Sequence, residues 1–153
     1  MSNSIQNIQD EIIAEFSRLD SWEKKYSHLI QLGKKLAPMD ESYKTEDLKV
    51  KGCQSQVWLK AGLNTKGNVH LQADSDALIV KGLVALLLRV YDDQSAKEIL
   101  NTELFFIDKT ELAHHLSASR TNGLNSMIKQ IKYYAQAFQI LASQSVLTSS
   151  LKK

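Results

Sequence analysis

Gln56-Val57-Trp58-Leu59-Lys60-Ala61-Gly62-Leu63-Asn64-Thr65-Lys66-Gly67-Asn68-Val69-His70-Leu71-Gln72-Ala73 is the stretch that decides the fold. Val57, Leu59, Ala61 and Leu63 alternate with Gln56, Trp58, Lys60 and Gly62, and Val69, Leu71 and Ala73 alternate with His70 and Gln72. A period of two puts successive side chains on opposite faces of an extended chain, so the spacing predicts two strands. Asn64-Thr65-Lys66-Gly67 between them has the chemistry of a short hairpin loop, which makes the pair antiparallel with one buried face.

Outside the hairpin the period changes. Asp74-Ser75-Asp76 supplies three N-cap candidates for the near-continuous apolar run at residues 77–90, whose length predicts a buried helix. Upstream, Ile5, Ile8, Ile12, Phe16 and Leu19 recur at threes and fours and predict an amphipathic helix. Asp20 and Glu23 have capping-box spacing ahead of a second stripe, Trp22, Tyr26, Leu29, Ile30, Gly33 and Leu36, which Pro38 ends. These two helices are expected to form a hairpin. Residues 39–51 read as a connecting loop with a short strand around 48–50.

Ser95 and Glu98 cap a short helix reaching Leu100, and residues 103–116 break into further short turns or helices. Leu124, Met127, Ile128, Ile131, Tyr134, Ala135 and Phe138 form the apolar stripe of a last helix, with Lys129, Lys132 and Gln136 outside it. The Ser-rich stretch 143–153 is expected to fray as a tail, leaving one domain over residues 1–142. Helices flanking a small antiparallel sheet describe an α+β domain.

Composition narrows the function. The 153 residues are 43% hydrophobic and 24% charged, an ordinary globular balance that excludes collagenous and disordered classes. With 19 basic and 17 acidic residues the net charge is +2, too near balance for the field that nucleic-acid binding needs, so no DNA or RNA partner is expected. The longest apolar run, interrupted by Lys81 and Gly82, falls short of the roughly 20 residues of a membrane span. The first basic residue is Arg18, after Asp10 and Glu11, so neither a secretory signal nor a transit peptide is expected and the chain is placed in the cytoplasm.

The single cysteine, Cys53, excludes an internal disulfide, a CxxC pair and a multi-cysteine metal site within one chain. Any thiol chemistry must use one sulfur. Cys53 follows Gly52 at a loop-to-strand junction, where a side chain can be presented to a partner. Lys49 and Lys51 would favour its thiolate if their charges approach the sulfur. A free cysteine is also among the most buried residue types, so position alone leaves a packing role open.

His28, His70, His114 and His115 stand at no recognisable spacing from Cys53, and no metal site is expected from them. No Gly-rich phosphate loop is present. Asp76, as an N-cap, and Arg120, in a Ser-rich turn, are polar positions prone to burial, each open to a structural or a functional role. Trp58, on the polar phase of its strand, is a candidate for exposure and docking near the cysteine.

Three separated segments carry a family resemblance: Lys51-Gly52-Cys53-Gln54-Ser55-Gln56-Val57-Trp58; Asp74-Ser75-Asp76-Ala77 with Ile79-Val80-Lys81-Gly82-Leu83; and His115-Leu116-Ser117-Ala118-Ser119-Arg120 with Asn122-Gly123-Leu124. In this order, spanning nearly the whole chain to about residue 142, they resemble the SufE family of sulfur acceptors. The resemblance implies a SufE/IscU-like fold with a sheet of about three strands packed against helices. It implies that Cys53 accepts sulfane sulfur from the persulfide of a cysteine desulfurase of the SufS or CsdA type and stimulates that enzyme. Sulfur then passes to a SufBCD-type iron–sulfur scaffold.

On the same ground pyridoxal phosphate (PLP) belongs to the partner, and this chain binds no cofactor of its own. The resemblance thus implies a sulfur-transfer protein with a Cys53 persulfide intermediate, rather than a stand-alone enzyme. The resemblance further implies that the cysteine loop is sheltered until a desulfurase docks. Gly52, Asp76 and Arg120 would support the Cys53 pocket, Asp76 and Arg120 as tethers, with Lys51, Gln54 and Trp58 as docking candidates. The sequence departs from the family at Ala118, where many relatives have Pro, which leaves the turn before Arg120 looser.

Three alternatives remain at this level. A CsdE-type acceptor would feed a different sulfur pathway such as tRNA modification. A cysteine hydrolase would use His70 as base. A pure binding module would keep Cys53 only for packing.

Overall fold

The computed structural model describes residues 4–151, with the side chains of 144–151 outside the description. Ser4 opens helix α1 (Ile5–Ser17) by accepting a hydrogen bond from the Asn7 N–H, and Ile5, Ile8, Ile12 and Phe16 form its buried stripe. Helix α2 (Trp22–Lys34) is capped by Ser21, whose extended backbone lets Oγ accept from the Lys24 N–H at 3.2 Å. Asp20 instead pairs with the Lys24 ammonium at 2.8 Å, so the expected Asp20 cap is corrected by one residue.

The hairpin forms as the alternation predicts, antiparallel with one buried face. Strands β1 (Val57–Leu63) and β2 (Val69–Ser75) pair antiparallel from Val57 opposite Ser75 to Leu63 opposite Val69. The Asn64 carboxamide oxygen accepts from the backbone N–H groups of Lys66 and Asn68, and Gly67 takes a φ of +82°, which closes the turn. Val57, Leu59, Val69, Leu71 and Ala73 are buried on the inner face, whereas Leu63 at the hairpin tip is 53% exposed.

The sheet has two strands, not about three. The stretch at residues 48–50 contributes a single bridge, Lys49 opposite Trp58, flanked by Val50 N–H to the Val57 carbonyl and Leu59 N–H to the Leu48 carbonyl. The chain must turn at Lys51-Gly52 to deliver the cysteine, and this leaves too few residues for a full ladder.

Helix α3 (Leu78–Tyr91) packs against the sheet, with Val84 and Leu87 beside Val57, Leu59 and Ala73, and Leu83, Leu86 and Val90 are buried as well. Its N-cap is Ala77, with no side-chain hydrogen bond, so Asp76 is not the cap that the Asp-Ser-Asp run predicts. On its other side α3 meets α2 at backbone contact: a Cβ on Gly82 would lie 2.2 Å from the Leu29 carbonyl oxygen, and one on Gly33 would lie 2.9 Å from the Gly82 nitrogen. The two glycines set the closeness of this helix pair.

Short helices α4 (Ala96–Asn101), α5 (Phe106–Lys109) and α6 (Leu112–His115) lead to the long helix α7 (Ala118–Leu151). Buried Gln9 on α1 anchors the entry to α5, accepting from the Phe105 and Phe106 N–H groups and donating to the Glu103 carbonyl. Leu124, Met127, Ile131 and Ala135 are the buried face of α7. The helical backbone continues through the expected tail as far as Leu151, and Lys152 and Lys153 lie outside the described residues. No described helix is long and apolar enough to cross a membrane.

Candidate functional site

The loop between residues 50 and 57 presents Cys53. Its base is closed by the Val50 N–H donating to the Val57 carbonyl at 2.8 Å. Gly52 reverses the chain with φ +90°, in the left-handed region, and a Cβ there would meet Ser126 Oγ of α7 at 2.6 Å. The backbone angle favours glycine, and any side chain there would also have to displace the Ser126 hydroxyl. The far end of the loop is held by Asp76: its carboxylate accepts from the Gln56 N–H at 3.0 Å, and its own N–H donates to the Gln56 carbonyl at 3.2 Å.

Cys53 is half-buried. Its thiol donates to the Gly123 carbonyl at 3.6 Å, and a Cβ on Gly123 would lie 3.4 Å from Sγ. The sulfur lines a cavity of about 270 Å³ between the loop, α3 and the start of α7. Val80, Leu83 and Met127 make one wall apolar; Ser117, Ser119, Arg120 and the loop's own Gln54 and Ser55 make the rest polar. Ser117 Oγ accepts from the Arg120 N–H at 3.3 Å, which organises the first turn of α7 around this wall. The approach to that turn is held by α2, where Trp22 stacks on His115 with centroids 3.4 Å apart and the Tyr26 hydroxyl donates to the His115 carbonyl.

Burial pushes the Cys53 thiol above its ordinary value. Neither lysine offsets this. Lys49 pairs with Glu46 at 3.3 Å, and Lys51 lines a separate pocket with residues of α7. In this arrangement the sulfur is a protonated, sheltered thiol, and the expected activation by Lys49 and Lys51 is absent.

Arg120 is exposed, and among the described residues its guanidinium makes no hydrogen bond or ion pair, so the tether expected of it does not form here. Asp76 is likewise exposed, though bonded to the loop. Trp58 is half-buried opposite Asp74, with the Lys44 ammonium 5.6 Å from its ring centroid. Asp74 itself lies between Lys44 at 3.0 Å and Lys81 at 3.2 Å. Burial raises its carboxyl, but hydrogen bonds from Lys44, the Ser75 N–H and Lys81 outweigh burial and hold it below the usual carboxylate range.

Among the described residues no histidine lines the Cys53 cavity. His70 pairs with Asp92 at 3.0 Å and faces a different cavity; opposite Gly62, it is about 16 Å along the strand from Val57. The hydrolase alternative therefore lacks its base. His28 pairs with Glu15, and no group of three or more potential metal ligands occurs among the described residues.

Sequence reading placed Cys53, Gly52, Gln54 and Arg120 around one site, yet missed Gly123, Ser126 and the apolar wall. A signal for Gly123 was present: glycine inside a helical stripe marks close approach of another element.

A family model described as the Fe-S metabolism associated domain, SufE, matches residues 10–135. The chain belongs to the SufE family. That membership connects the chain to iron–sulfur metabolism and a sulfur-acceptor role. The solution structure of a hypothetical protein from Thermus thermophilus matches this SufE-family chain with a TM-score of 0.71 at 18% identity, covering 87% of this chain and 96% of that one. At that identity the likeness establishes the shared fold.

Proposed function

We propose that this SufE-family chain is a sulfur carrier that takes persulfide sulfur from a PLP-dependent cysteine desulfurase onto Cys53. In doing so it stimulates the desulfurase, and it passes the sulfur to an iron–sulfur scaffold in the cytoplasm. The observation that carries the reading is the placement of the single cysteine. It sits on a loop pinned at both ends, with its sulfur facing a cavity of about 270 Å³ that has room for one more sulfur atom.

The chemistry follows from that placement. The Cys53 thiolate attacks the outer sulfur of the donor's persulfide; a new S–S bond forms at Cys53, the donor's S–S bond breaks, and the donor cysteine leaves as thiolate. The outer sulfur keeps its hydrogen, and no external oxidant is needed. Because burial disfavours the thiolate, docking must draw Cys53 out of its cavity before attack, which limits the reaction to the partner. On return, the extra sulfur enters the space beside Val80, Leu83 and Met127, away from bulk water. Arg120, a cation on the same cavity without a partner among the described residues, favours an anionic terminal sulfur.

Intact-mass spectrometry without reductant tests the reading, after the protein is mixed with a Suf-type cysteine desulfurase and free cysteine. The expected result is a gain of whole sulfur atoms that disappears in Cys53→Ser. No gain with any desulfurase leaves Cys53 as a packing residue in a binding module.

A further inference from the structure

A second pocket, of about 260 Å³, shares no lining residue with the Cys53 cavity and is lined by Lys51, Ser126, Lys129, Gln130 and Tyr133. It holds two cations and no carboxylate. Most basic side chains near the described loops are matched: Lys44 with Glu41 and Asp74, Lys49 with Glu46, Lys81 with Asp74. Lys51 and Lys129 have no ion pair among the described residues, and Tyr133 presents its ring at 67% exposure beside them. In a chain of net charge +2 this is a local concentration of unmatched positive charge.

Its position couples it to the sulfur. Ser126 lies directly against Gly52, and Lys51, Gly52 and Cys53 are consecutive, so whatever engages Lys51 and Ser126 acts on the backbone that carries the thiol. We infer that the Lys51–Ser126–Lys129–Tyr133 pocket is the docking point for an acidic segment of the partner desulfurase. Carboxylates of that segment pair with the two ammonium groups, and an apolar or aromatic side chain covers Tyr133. Engagement there acts on the loop at Lys51 and Gly52, the residues that carry Cys53. The inference rests on the carrier reading above and names the surface through which the partner is recognised.

Titration calorimetry of the full chain against a purified Suf-type cysteine desulfurase, at several salt concentrations, tests it. The variant is K51E/K129E; the control is K34E/K97E, the same charge change at exposed lysines of α2 and α4. Thermal melts by circular dichroism verify that both fold. The expected result is binding about tenfold or more weaker for K51E/K129E at low salt, with a flatter salt dependence, and an unaltered Kd for the control.

Equal loss in both variants, or an unaltered Kd and salt slope in K51E/K129E, overturns the inference while leaving the carrier reading intact. Failure of the wild-type chain to bind the desulfurase overturns both. A bulk tRNA probe completes the test: wild-type binding to it that disappears in K51E/K129E, with desulfurase binding unaltered, assigns the pocket to nucleic acid and overturns the inference.

Discussion

Asp76 and Gln56 are joined twice, by the Gln56 N–H on the Asp76 carboxylate at 3.0 Å and by the Asp76 N–H on the Gln56 carbonyl at 3.2 Å. The pair ties the last residue of the cysteine loop to the entry of α3, whose Val80 and Leu83 line the cavity. A carboxylate one residue before Ala77 thus serves the loop and leaves α3 without a side-chain cap.

Asp76→Ala removes the acceptor and leaves the Gln56 N–H to water. The expected loss of stability is about 1 kcal/mol, modest because the carboxylate is exposed. The larger effect is local: amide exchange at residues 53–56 accelerates, and iodoacetamide alkylates Cys53 faster. Unchanged exchange and alkylation would show that Asp76 does not restrain the loop.

Cys53 gives the protein a pH dependence of known sign. Burial raises the folded pKa of an acidic group, so its contribution to stability is fully present below the unfolded value, about 8.5, and is lost as pH rises through the folded value. Above about pH 8.5 the melting temperature of the wild type should therefore fall more steeply than that of Cys53→Ser. The alkylation rate of Cys53 should rise with a midpoint above that of free cysteine, and Asp76→Ala should bring the midpoint down. Parallel melting curves for the two proteins would contradict the burial of the sulfur.

Gly82 has no room for a side chain. Gly82→Ala places a carbon 2.2 Å from the Leu29 carbonyl oxygen and 2.7 Å from its carbon, backbone atoms that yield only if α2 moves off α3. Urea unfolding should show a loss of at least about 3 kcal/mol, or no folded protein. Gly62→Ala, with open space around the new carbon, should stay within about 0.5 kcal/mol of the wild type.

Ala118 is the first residue of α7, just after Ser117, whose Oγ accepts from the Arg120 N–H. Proline suits the first helical position, where its fixed φ is already helical and no intrahelical donor is lost. Ala118→Pro should stabilise the protein by about 0.4–1 kcal/mol, read as a raised urea midpoint with an unaltered slope. A lowered midpoint would place the start of α7 elsewhere.

The sequence by itself determined the elements whose signal is periodic. The hairpin and its buried face could be read because period-two alternation around an Asn-to-Gly turn puts Val57, Leu59, Val69 and Leu71 on one side. The apolar run at residues 77–90 was long enough to argue for a buried helix, and the lone cysteine after a glycine drew attention to the loop that lines the cavity. Tertiary structure decided what depends on a partner distant in sequence. Ser21 displaced Asp20 as a cap, and Asp76 turned from α3 to Gln56, because several short polar side chains stood within reach of orphaned N–H groups and packing chose between them.

Arg120 faces solvent at the cavity and tethers nothing, since among the described residues no carboxylate is folded against it. The walls that shelter Cys53 could not be read from local spacing: they are made by Gly123 and Met127 of α7 and by Val80 and Leu83 of α3, brought to the loop by burial of apolar faces that spacing reveals but cannot pair.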